Sequence, residues 1–341
     1  MGQKKLKIWP IFIIYLIIRM HPEVARSMYL FAEIANDIGQ SAGNGLPQDI
    51  VLGCLLGANS SKTLRSEFSE KYKLSQNLPN NNKDWGSYLA GLIEGDGCFN
   101  SNKQIIITFS ESDYSLAVLL KKVFSCGRIY KIKDKKAFNW IISKKSDVIR
   151  LLNLINGSLR TEYKLAQIHK NMIGLIDSNY QQKPDISNLL ESWWLAGFTE
   201  AEGCFYVHIL DPRKHRSSIE IRAHYKFGLK DNTILNQLRK IFGSSVYKRT
   251  HSYDSKRGEY IEKKITYYWS STSLKAAQKV VLYFENRHLL GSKRDSFEKW
   301  RFILLLVLSK QYKNPEVLET IKQLKKTMNT FSNASLDIAC F

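Results

Sequence analysis

Two acidic residues are prominent because each occupies the same place in a segment that occurs twice. Residues 89–99 read LAGLIEGDGCF and residues 195–205 read LAGFTEAEGCF, with seven of eleven positions identical. Asp96 aligns with Glu202, so the position stays acidic although the residue type differs. Paired carboxylates are hard oxygen ligands of the kind that Mg²⁺ or Mn²⁺ binds, together with water and phosphate oxygens. The repeat therefore predicts a divalent-metal site suited to a phosphodiester.

The residues that precede the two acids predict a pair of helices packed closely on each other. Gly91 and Gly95 are four residues apart, as are Gly197 and Ala201, so the small residues of each helix share one face. Small residues at this spacing let two backbones come almost into contact. The two helices are therefore expected to pair within one chain.

The residues directly after the acids predict where the helices end. Gly97 and Gly203 fit the left-handed position that terminates many helices, which places Asp96 and Glu202 in the last turns. Two acids are unfavourable there, because a helix C-terminus is partially negative and neighbouring carboxylates repel each other. A bound cation would relieve both effects.

The overall charge points to a polyanionic partner. The 341 residues include 51 Lys and Arg against 31 Asp and Glu, a net charge of +20, which favours nucleic acid. A hydrophobic content of 44% indicates an ordered core instead of a disordered basic tail. The five cysteines include no Cys-x-x-Cys pair, which argues against a disulfide framework or a zinc knuckle and favours a reducing compartment.

The residues that follow each acid predict one α+β unit, present twice. Extended segments and an amphipathic helical segment alternate in the same order after both motifs. In the first copy, strands are predicted at 104–110, 128–133 and 137–143 and a helix at 112–124; in the second, strands at 204–210, 219–227, 245–249 and 261–270 and a helix at 233–242.

The chain divides into five predicted segments. The apolar run at 8–18 is too short for a membrane span of about 20 residues; a cleaved or membrane segment remains an alternative to an extension outside the fold, which is favoured. The segments are an N-terminal extension with an Asn-rich linker (1–82), a first repeat (83–180), a linker (181–187), a second repeat (188–312) and a C-terminal helix or tail (313–341).

The two motifs resemble the pair that defines the LAGLIDADG homing endonucleases, in their single-chain, two-motif form, over roughly residues 84–310. The resemblance implies two pseudo-symmetric αββαββα halves with saddle-shaped antiparallel sheets for DNA, in a monomer. It also implies that Asp96 and Glu202 bind the metal, with the carbonyls of Gly95 and Ala201 as weaker ligands. The implied activity is a metal-assisted, staggered cut of a long asymmetric double-stranded DNA site, which promotes intron mobility.

The resemblance implies further residues around the metal. Members of the family commonly place a lysine near it, and Lys144 and Lys145, after the last strand of the first half, are predicted for this role. Glu94 and Glu200 match an earlier acidic position that is usually structural, so we predict that they act as capping or packing groups.

The strands predict how DNA would be read. Residues 219–227 alternate apolar with polar or basic side chains, so one face is expected to be core and the other to contact base edges in the major groove. An ordinary solvated sheet face is the alternative at each position. Basic loops at 211–216 and 248–257 suit phosphates. The predicted DNA contacts are Gln104, Thr108, Lys131, Lys133, Tyr206, His208, Arg213, Lys214, Arg216, Glu220, Arg222, His224, Lys226, Arg249, Lys264, Thr266 and Tyr268.

A second function is also consistent with the charge and the resemblance. Similar proteins encoded in group I introns act as maturases that bind the intron RNA and assist its splicing. Retention of both acids favours the nuclease. A restriction-type PD-(D/E)xK nuclease fits poorly, because Pro184-Asp185 is not followed by a correctly spaced Glu-x-Lys. The resemblance suggests an organelle intron, in a mitochondrion or alternatively a plastid.

Overall fold

The computed structural model describes residues 78–212, 218–254, 261–271 and 273–329, with only the backbone of 251–254 and 261–264. The predicted apolar run at 8–18 lies outside these residues. Among them, no helix is long and apolar enough to cross a membrane. Residues 78–300 and 325–329 belong to one compact unit, and residues 301–324 belong to another.

Both repeats show the same order of elements, which confirms the predicted α+β fold. The first repeat contains α1 (Asn82–Asp96), β1 (Gly97–Phe99), β2 (Ile105–Ser110), α2 (Tyr114–Phe124), β3 (Arg128–Lys131), β4 (Ala137–Ile142), α3 (Lys145–Ile155) and α4 (Glu162–Asn171). The second contains α5 (Trp194–Glu202), β5 (Cys204–Leu210), β6 (Glu220–Leu229), α6 (Thr233–Phe242), β7 (Val246–Asp254), β8 (Ile261–Ser270), α7 (Leu274–Asn286) and α8 (Lys293–Leu308), and α9 (Pro315–Thr327) follows.

Each repeat forms one four-stranded antiparallel sheet, with strand orders β1-β2-β4-β3 and β5-β6-β8-β7. The strands that directly follow the two acids, β1 and β5, are therefore edge strands. Alternate residues of β2 and β6 are buried, because one face of each sheet is covered by helices and packs as core. The residues between them are partly or fully exposed and form the other, open face of each sheet.

Helices α1 and α5 pack backbone against backbone, as the small residues predict. A methyl group built on Gly91 would collide with the carbonyl oxygen of Trp194, and one built on Gly197 with that of Tyr88. Only hydrogen fits at these two positions. The contact fixes the relative placement of the two helices, and with it the placement of the acids at their ends.

Arg160 ties the linker between the repeats to the helix pair. Its side chain is fully buried and donates to the carbonyl of Ser187 at 2.7 Å. It also pairs with the carboxylate of Asp185 at 2.8 Å, and its guanidinium lies 5.5 Å from the ring of Trp194. The buried guanidinium group of Arg160 thus fixes the segment that connects the first repeat to α5.

Candidate metal and nucleic-acid site

Asp96 and Glu202 are the last residues of α1 and α5, so the close packing of these helices brings the two acids to one place. A methyl group built on Gly95 would collide with the Cβ of Ala201 and would lie 3.1 Å from the Cγ of Glu202. Asp96 is exposed and Glu202 is partly exposed. Both carboxylates can therefore reach a ligand that approaches from solvent.

The electrostatics around the two acids favour a cation. Desolvation by the surrounding protein raises the pKa of both carboxyl groups, and the charge of Asp96 raises the pKa of Glu202 further; Lys293 and Lys164 act in the opposite direction. A divalent ion between the carboxylates would replace repulsion by attraction. Within the described residues, no three His, Cys, Asp or Glu side chains are arranged to hold a metal. The two acids therefore fit a metal whose other ligands come from backbone, water or substrate.

The prediction that Gly97 and Gly203 are left-handed is wrong. Gly97 has φ −99° and ψ 166°, and Gly203 has φ −78° and ψ 151°, so both are extended and the chain passes directly from helix into strand. The glycines are needed for space instead. An added methyl group would lie 2.7 Å from the Cα of Ile93 and 3.0 Å from the Cα of Thr199.

Two lysines that are not among the predicted site residues lie near the acids. Lys164 in α4 is buried, and its ammonium group donates to the carbonyl of Gly97. Lys293, the first residue of α8, donates to the carbonyls of Thr199 at 3.1 Å and Ala201 at 2.8 Å. Each lysine thus contacts the backbone at the end of the acid-bearing helix of its own repeat.

The predicted lysines, Lys144 and Lys145, are not among the charges that shift the pKa of the acids. Lys144 and Lys145 are exposed at the start of α3. The charges that lower the pKa of the acids come instead from Lys164 and Lys293, and for the second acid also from Lys230. Lys164 and Lys293 follow the acids of their repeats by 68 and 91 residues. Because the two spacings differ, a search for internal repeats does not align the two lysines with each other.

Glu94, the earlier acid of the first motif, is buried and caps the start of α4, as predicted. Its carboxylate accepts hydrogen bonds from the backbone N–H groups of Arg160 at 2.9 Å and Thr161 at 2.6 Å, and from the indole of Trp194 at 2.5 Å. Lys164 follows within one helical turn. Glu94 therefore fixes the segment that carries the lysine of the first repeat.

Glu200 has the same role in the second repeat, with help from the first. Its Oε1 accepts hydrogen bonds from the N–H groups of residues 290–291. Asp113, just before α2 of the first repeat, accepts one from the N–H of Ser292 at 2.8 Å. Carboxylates from both repeats therefore hold three consecutive N–H groups immediately before Lys293.

The two carboxylates around this turn lie close enough to repel each other. Burial, followed by the charge of Asp113, raises the pKa of Glu200 to about 7, although the bonded N–H groups and Lys293 oppose the shift. The Oε2 atom of Glu200 has no hydrogen-bond partner within the described part of the chain. The turn before Lys293 therefore brings two mutually repelling carboxylates together.

The open face of the first sheet carries a polar patch. Thr108 pairs with Asn139 across β2 and β4, and its hydroxyl donates to Asn139 Oδ1 at 2.9 Å. Arg128 and Tyr130 of β3 lie on the same face by register and are exposed. Gln104, just before β2, is partly exposed. Gln104 and Thr108 are among the predicted DNA contacts, whereas Asn139, Arg128 and Tyr130 are not.

The strand register corrects the predicted positions of two lysines. Lys131 pairs with Phe138, whose ring contacts that of Tyr114 in α2 at 4.7 Å, so Lys131 belongs to the helix-covered side. Lys133 lies in the turn after β3. Neither lies on the same sheet face as Thr108. Neighbouring residues of a strand point to opposite faces, which places Lys131 on the other face, and β3 ends before Lys133. Both are exposed, and their place at a hairpin end suits phosphates better than bases.

The open face of the second sheet is larger and basic. Its side chains alternate along β6 with the buried residues Ile221, Ala223, Tyr225 and Phe227, as predicted. The predicted residues that share this face by register are Tyr206, His208, Glu220, Arg222, His224, Lys226, Arg249, Thr266 and Tyr268.

Tyr268 lies on this face but is buried, whereas a direct contact was predicted. The ring of Tyr247 stacks on it with centroids 5.7 Å apart, and the guanidinium carbon of Arg249 lies 5.5 Å from both ring centroids. Tyr268 therefore supports two exposed side chains. Arg249, predicted at the end of the strand 245–249 and at the start of a basic loop, lies within β7.

His224 supplies a neutral hydrogen-bonding group among these cations. Its Nδ1 lies 3.0 Å from the hydroxyl of Ser270. Burial lowers the pKa of His224, and the charges of Lys226, His208 and Arg222 lower it further. A neutral imidazole that can donate or accept suits a base edge.

Four predicted contacts cannot be placed. Arg213, Lys214 and Arg216 lie outside the described residues, as does the side chain of Lys264.

The chain is similar to known proteins over both repeats. A family model described as LAGLIDADG endonuclease matches residues 89–172 and 195–304. Each match begins at the first residue of a repeated motif.

Three curated relatives come from fungi. A 37.2 kDa protein of cox1 intron 2 from Schizosaccharomyces pombe is 35% identical, over 80% of this chain and 83% of the relative. The intron-encoded DNA endonuclease aI3 of Saccharomyces cerevisiae is 30% identical, over 68% of this chain and 66% of its own length. The intron-encoded RNA maturase bI4 of the same yeast is 29% identical over 48% of this chain, which spans only 25% of that protein.

Solved structures share the fold. The LAGLIDADG homing endonuclease I-LtrWI bound to target DNA has a TM-score of 0.53 at 19% identity, covering 74% of this chain and 99% of that chain. The LAGLIDADG meganuclease I-AabMI bound to uncleaved DNA has the same TM-score and identity and covers 73% and 99%.

Proposed function

The chain belongs to the LAGLIDADG endonuclease family, and from this premise we propose that it cuts both strands of a long, asymmetric DNA site. The cut is staggered, proceeds by metal-assisted phosphodiester hydrolysis and promotes intron mobility. The observation that carries the proposal is the convergence of Asp96 and Glu202 at the ends of two helices that only glycines allow to pack this closely.

Asp96 and Glu202 would hold Mg²⁺ or Mn²⁺, with the carbonyl oxygens of Gly95 and Ala201 as weaker ligands. The Ala201 carbonyl already accepts a hydrogen bond from Lys293, and a carbonyl oxygen has a second lone pair for a further partner. When bound, the metal activates water and stabilises negative charge on the leaving oxygen. The two acids would fix the position of the bound ion, since one acid comes from each repeat.

Lys164 and Lys293 would stabilise the charge that develops on the phosphate. Each is fixed by hydrogen bonds to a backbone carbonyl, so little reorganisation is needed when charge appears. Burial lowers the pKa of Lys164, although the nearby acidic groups oppose the shift. We propose these two lysines for the role that Lys144 and Lys145 were predicted to fill.

The open sheet faces would read the DNA. On the second sheet, His208, Arg222 and His224 can reach base edges, while Arg249 suits a guanine or a phosphate. The similarity to proteins solved with bound DNA supports this assignment.

The proposal is tested by offering the full chain a randomised double-stranded DNA library with Mg²⁺ or with EDTA. Recovery of one long asymmetric site, cut only with Mg²⁺, is the expected result. Uncut DNA in both conditions, from protein that melts cooperatively, would overturn the nuclease proposal. A protein with both repeats in one chain should run as a monomer in sedimentation, with or without DNA.

Lys164→Met and Lys293→Met should each slow cutting by about 100-fold. Methionine keeps an unbranched apolar side chain but removes the ammonium group, and with it both the charge and the hydrogen bonds to the backbone carbonyls; cooperative melting of each variant checks that folding is retained. Because the two lysines belong to different repeats, each variant should slow one strand more than the other and accumulate nicked DNA. Single-turnover cleavage of a duplex labelled on either strand measures this.

Lys144→Met and Lys145→Met are the matched controls, because they remove the same charge from exposed positions on α3. Both should cut both strands at nearly the unchanged rate. If these controls slowed cutting while the other two variants did not, the original sequence prediction would be correct and the structural assignment wrong.

Asp113→Ala should lower kcat by about 10-fold while leaving KM almost unchanged, since the turn before Lys293 loses one of its acceptors. We treat Asp113 as a positioning residue. Asp113→Asn keeps an oxygen that can accept from Ser292 and should restore most of the rate. Glu111→Ala, at an exposed neighbour, is the control. An equal rise in KM for Asp113→Ala and Asp113→Asn would instead indicate a role of the charge in binding.

An intron RNA maturase is the second candidate, because the similarity to the maturase bI4 extends over 48% of this chain. RNA would then occupy the same basic faces, and splicing would not need the acids. Binding to the structured intron RNA that survives Asp96→Asn, together with restored splicing, would support this function alone or beside cutting.

We propose that the protein acts in mitochondria, since a relative at 35% identity is encoded in an intron of cox1. Localisation of a tagged full chain by microscopy tests this.

A further inference from the structure

The C-terminal segment brings a lysine to the open face of the second sheet. Lys325, in the last turn of α9, has its ammonium nitrogen 5.7 Å from the ring centroid of Tyr206 in β5. The ammonium nitrogen of Lys226 in β6 lies 4.9 Å from the same centroid. The family match ends at residue 304, so Lys325 lies outside the part of the chain that the family shares.

Hydrogen bonds hold the segment at this place. The side-chain amide of Asn329 donates to the carbonyl of Phe205 at 2.9 Å, which is available because β5 is an edge strand. The backbone N–H of Asn329 donates to the hydroxyl of Ser296 at 3.2 Å, and Lys299 donates to the carbonyl of Thr327 at 3.2 Å. Phe205, which precedes Tyr206 in β5, is thus hydrogen-bonded directly to the segment that carries Lys325.

The arrangement places two positive charges around one aromatic ring, which favours the approach of an anion. Two ammonium groups near one aromatic ring repel each other, and the negative face of the ring compensates only part of this repulsion. Lys325 forms no ion pair with a carboxylate in the described ranges. A lysine is a compact, flexible point charge, so it recognises a phosphate without distinguishing bases.

We infer that Lys325 and Lys226, arranged around Tyr206, form a phosphate clamp that extends the DNA interface from the second repeat onto the C-terminal segment. The inference rests on the proposed function, because it takes the DNA duplex as the partner. The clamp supplies affinity and register, and the neighbouring strand face reads the sequence.

The test is the salt dependence of binding by the full chain in Ca²⁺, to its cleavage site and to an unrelated duplex of equal length. Lys325→Gln should weaken binding to both duplexes by roughly fivefold at physiological salt and reduce the slope of log K against log salt by about 0.9. Lys325→Arg should restore most of the slope. The ratio of the two affinities should stay constant.

Lys326→Gln is the matched control, because it removes the same charge from the adjacent, exposed position but not the contact with Tyr206. Equal slopes for the two glutamine variants would overturn the clamp. A changed affinity ratio would also overturn it, since base readout would then be involved. Failure of the unchanged chain to cut or bind DNA would instead count against the proposed function, so the two failures are distinguishable.

Discussion

Asp96→Asn and Glu202→Gln should each abolish cutting of both DNA strands, with rates at least about 10³-fold below that of the unchanged chain. Each substitution removes one of the two negative charges that converge at the ends of α1 and α5. Because one acid comes from each repeat and the proposed metal would bind between them, loss of either acid would affect the cutting of both strands. The effect on one strand should therefore equal the effect on the other, unlike that of a lysine variant.

The same substitutions should leave the fold intact or slightly stabilise it. Desolvation raises the pKa of both acids, and Asp96 also raises that of Glu202, so the ionised pair is unfavourable when no cation is bound. The free energy of unfolding measured without metal should thus be unchanged or higher, while binding of Mn²⁺ is lost. Affinity for DNA in low-salt Ca²⁺ should be largely retained, because the sheet faces are untouched.

Asp84→Asn is the control, since Asp84 lies in the first turn of α1, far along the helix from its acidic end. It should cut DNA normally. Cutting by Asp96→Asn or by Glu202→Gln at more than a few per cent of the normal rate would rule out the shared-metal model. Loss of cooperative melting would show that the acid is needed for folding instead.

The elements that depend on local sequence pattern could be predicted. Small residues at helical spacing indicated the α1 and α5 pair, and alternation along β6 indicated its buried face. Both signals are periodic and need no knowledge of distant contacts. The same local logic failed at Gly97 and Gly203, because a glycine that relieves crowding looks identical in sequence to one that adopts a left-handed conformation.

The residues that could not be predicted depend on contacts between distant segments. Lys164 and Lys293 contact the backbone at the ends of the acid-bearing helices, and Glu94 and Glu200 hold the segments that begin α4 and α8. The sheet face on which a strand residue lies depends on the strand register, which the sequence does not give. Lys131 was therefore predicted to contact DNA, although it lies on the helix-covered side of the sheet. A motif search finds the acids but not the groups that other elements bring to them.

Gly91→Ala and Gly197→Ala should each destabilise the protein by roughly 3 kcal/mol or more. The added methyl group would meet a backbone carbonyl of the facing helix, and a backbone cannot rotate aside as a side chain can. The only relief is separation of α1 from α5, which also breaks the core contacts of both repeats. Chemical denaturation with unfolding followed by fluorescence measures the loss.

Gly157→Ala is the control for backbone strain. Gly157 has φ +84° but no atom within 4 Å of an added methyl group, so its substitution should cost only about 1–2 kcal/mol. If the helix glycines cost no more than this control, the helices would have to be farther apart than the contact between Gly197 and Tyr88 implies.

An exchange of small residues at the ends of the helices extends this prediction to activity. Gly95→Ala would drive a methyl group into that of Ala201 and crowd Glu202, so it should slow cutting as well as destabilise the fold. Ala201→Gly removes the opposing methyl group, and the double variant should recover most of the stability lost in Gly95→Ala. A favourable coupling energy in this double-mutant cycle would show that the methyl group of Ala201 sets the spacing of the acids. Additive effects would mean that each helix end relaxes independently, and the two carboxylates would then owe their proximity to some other contact.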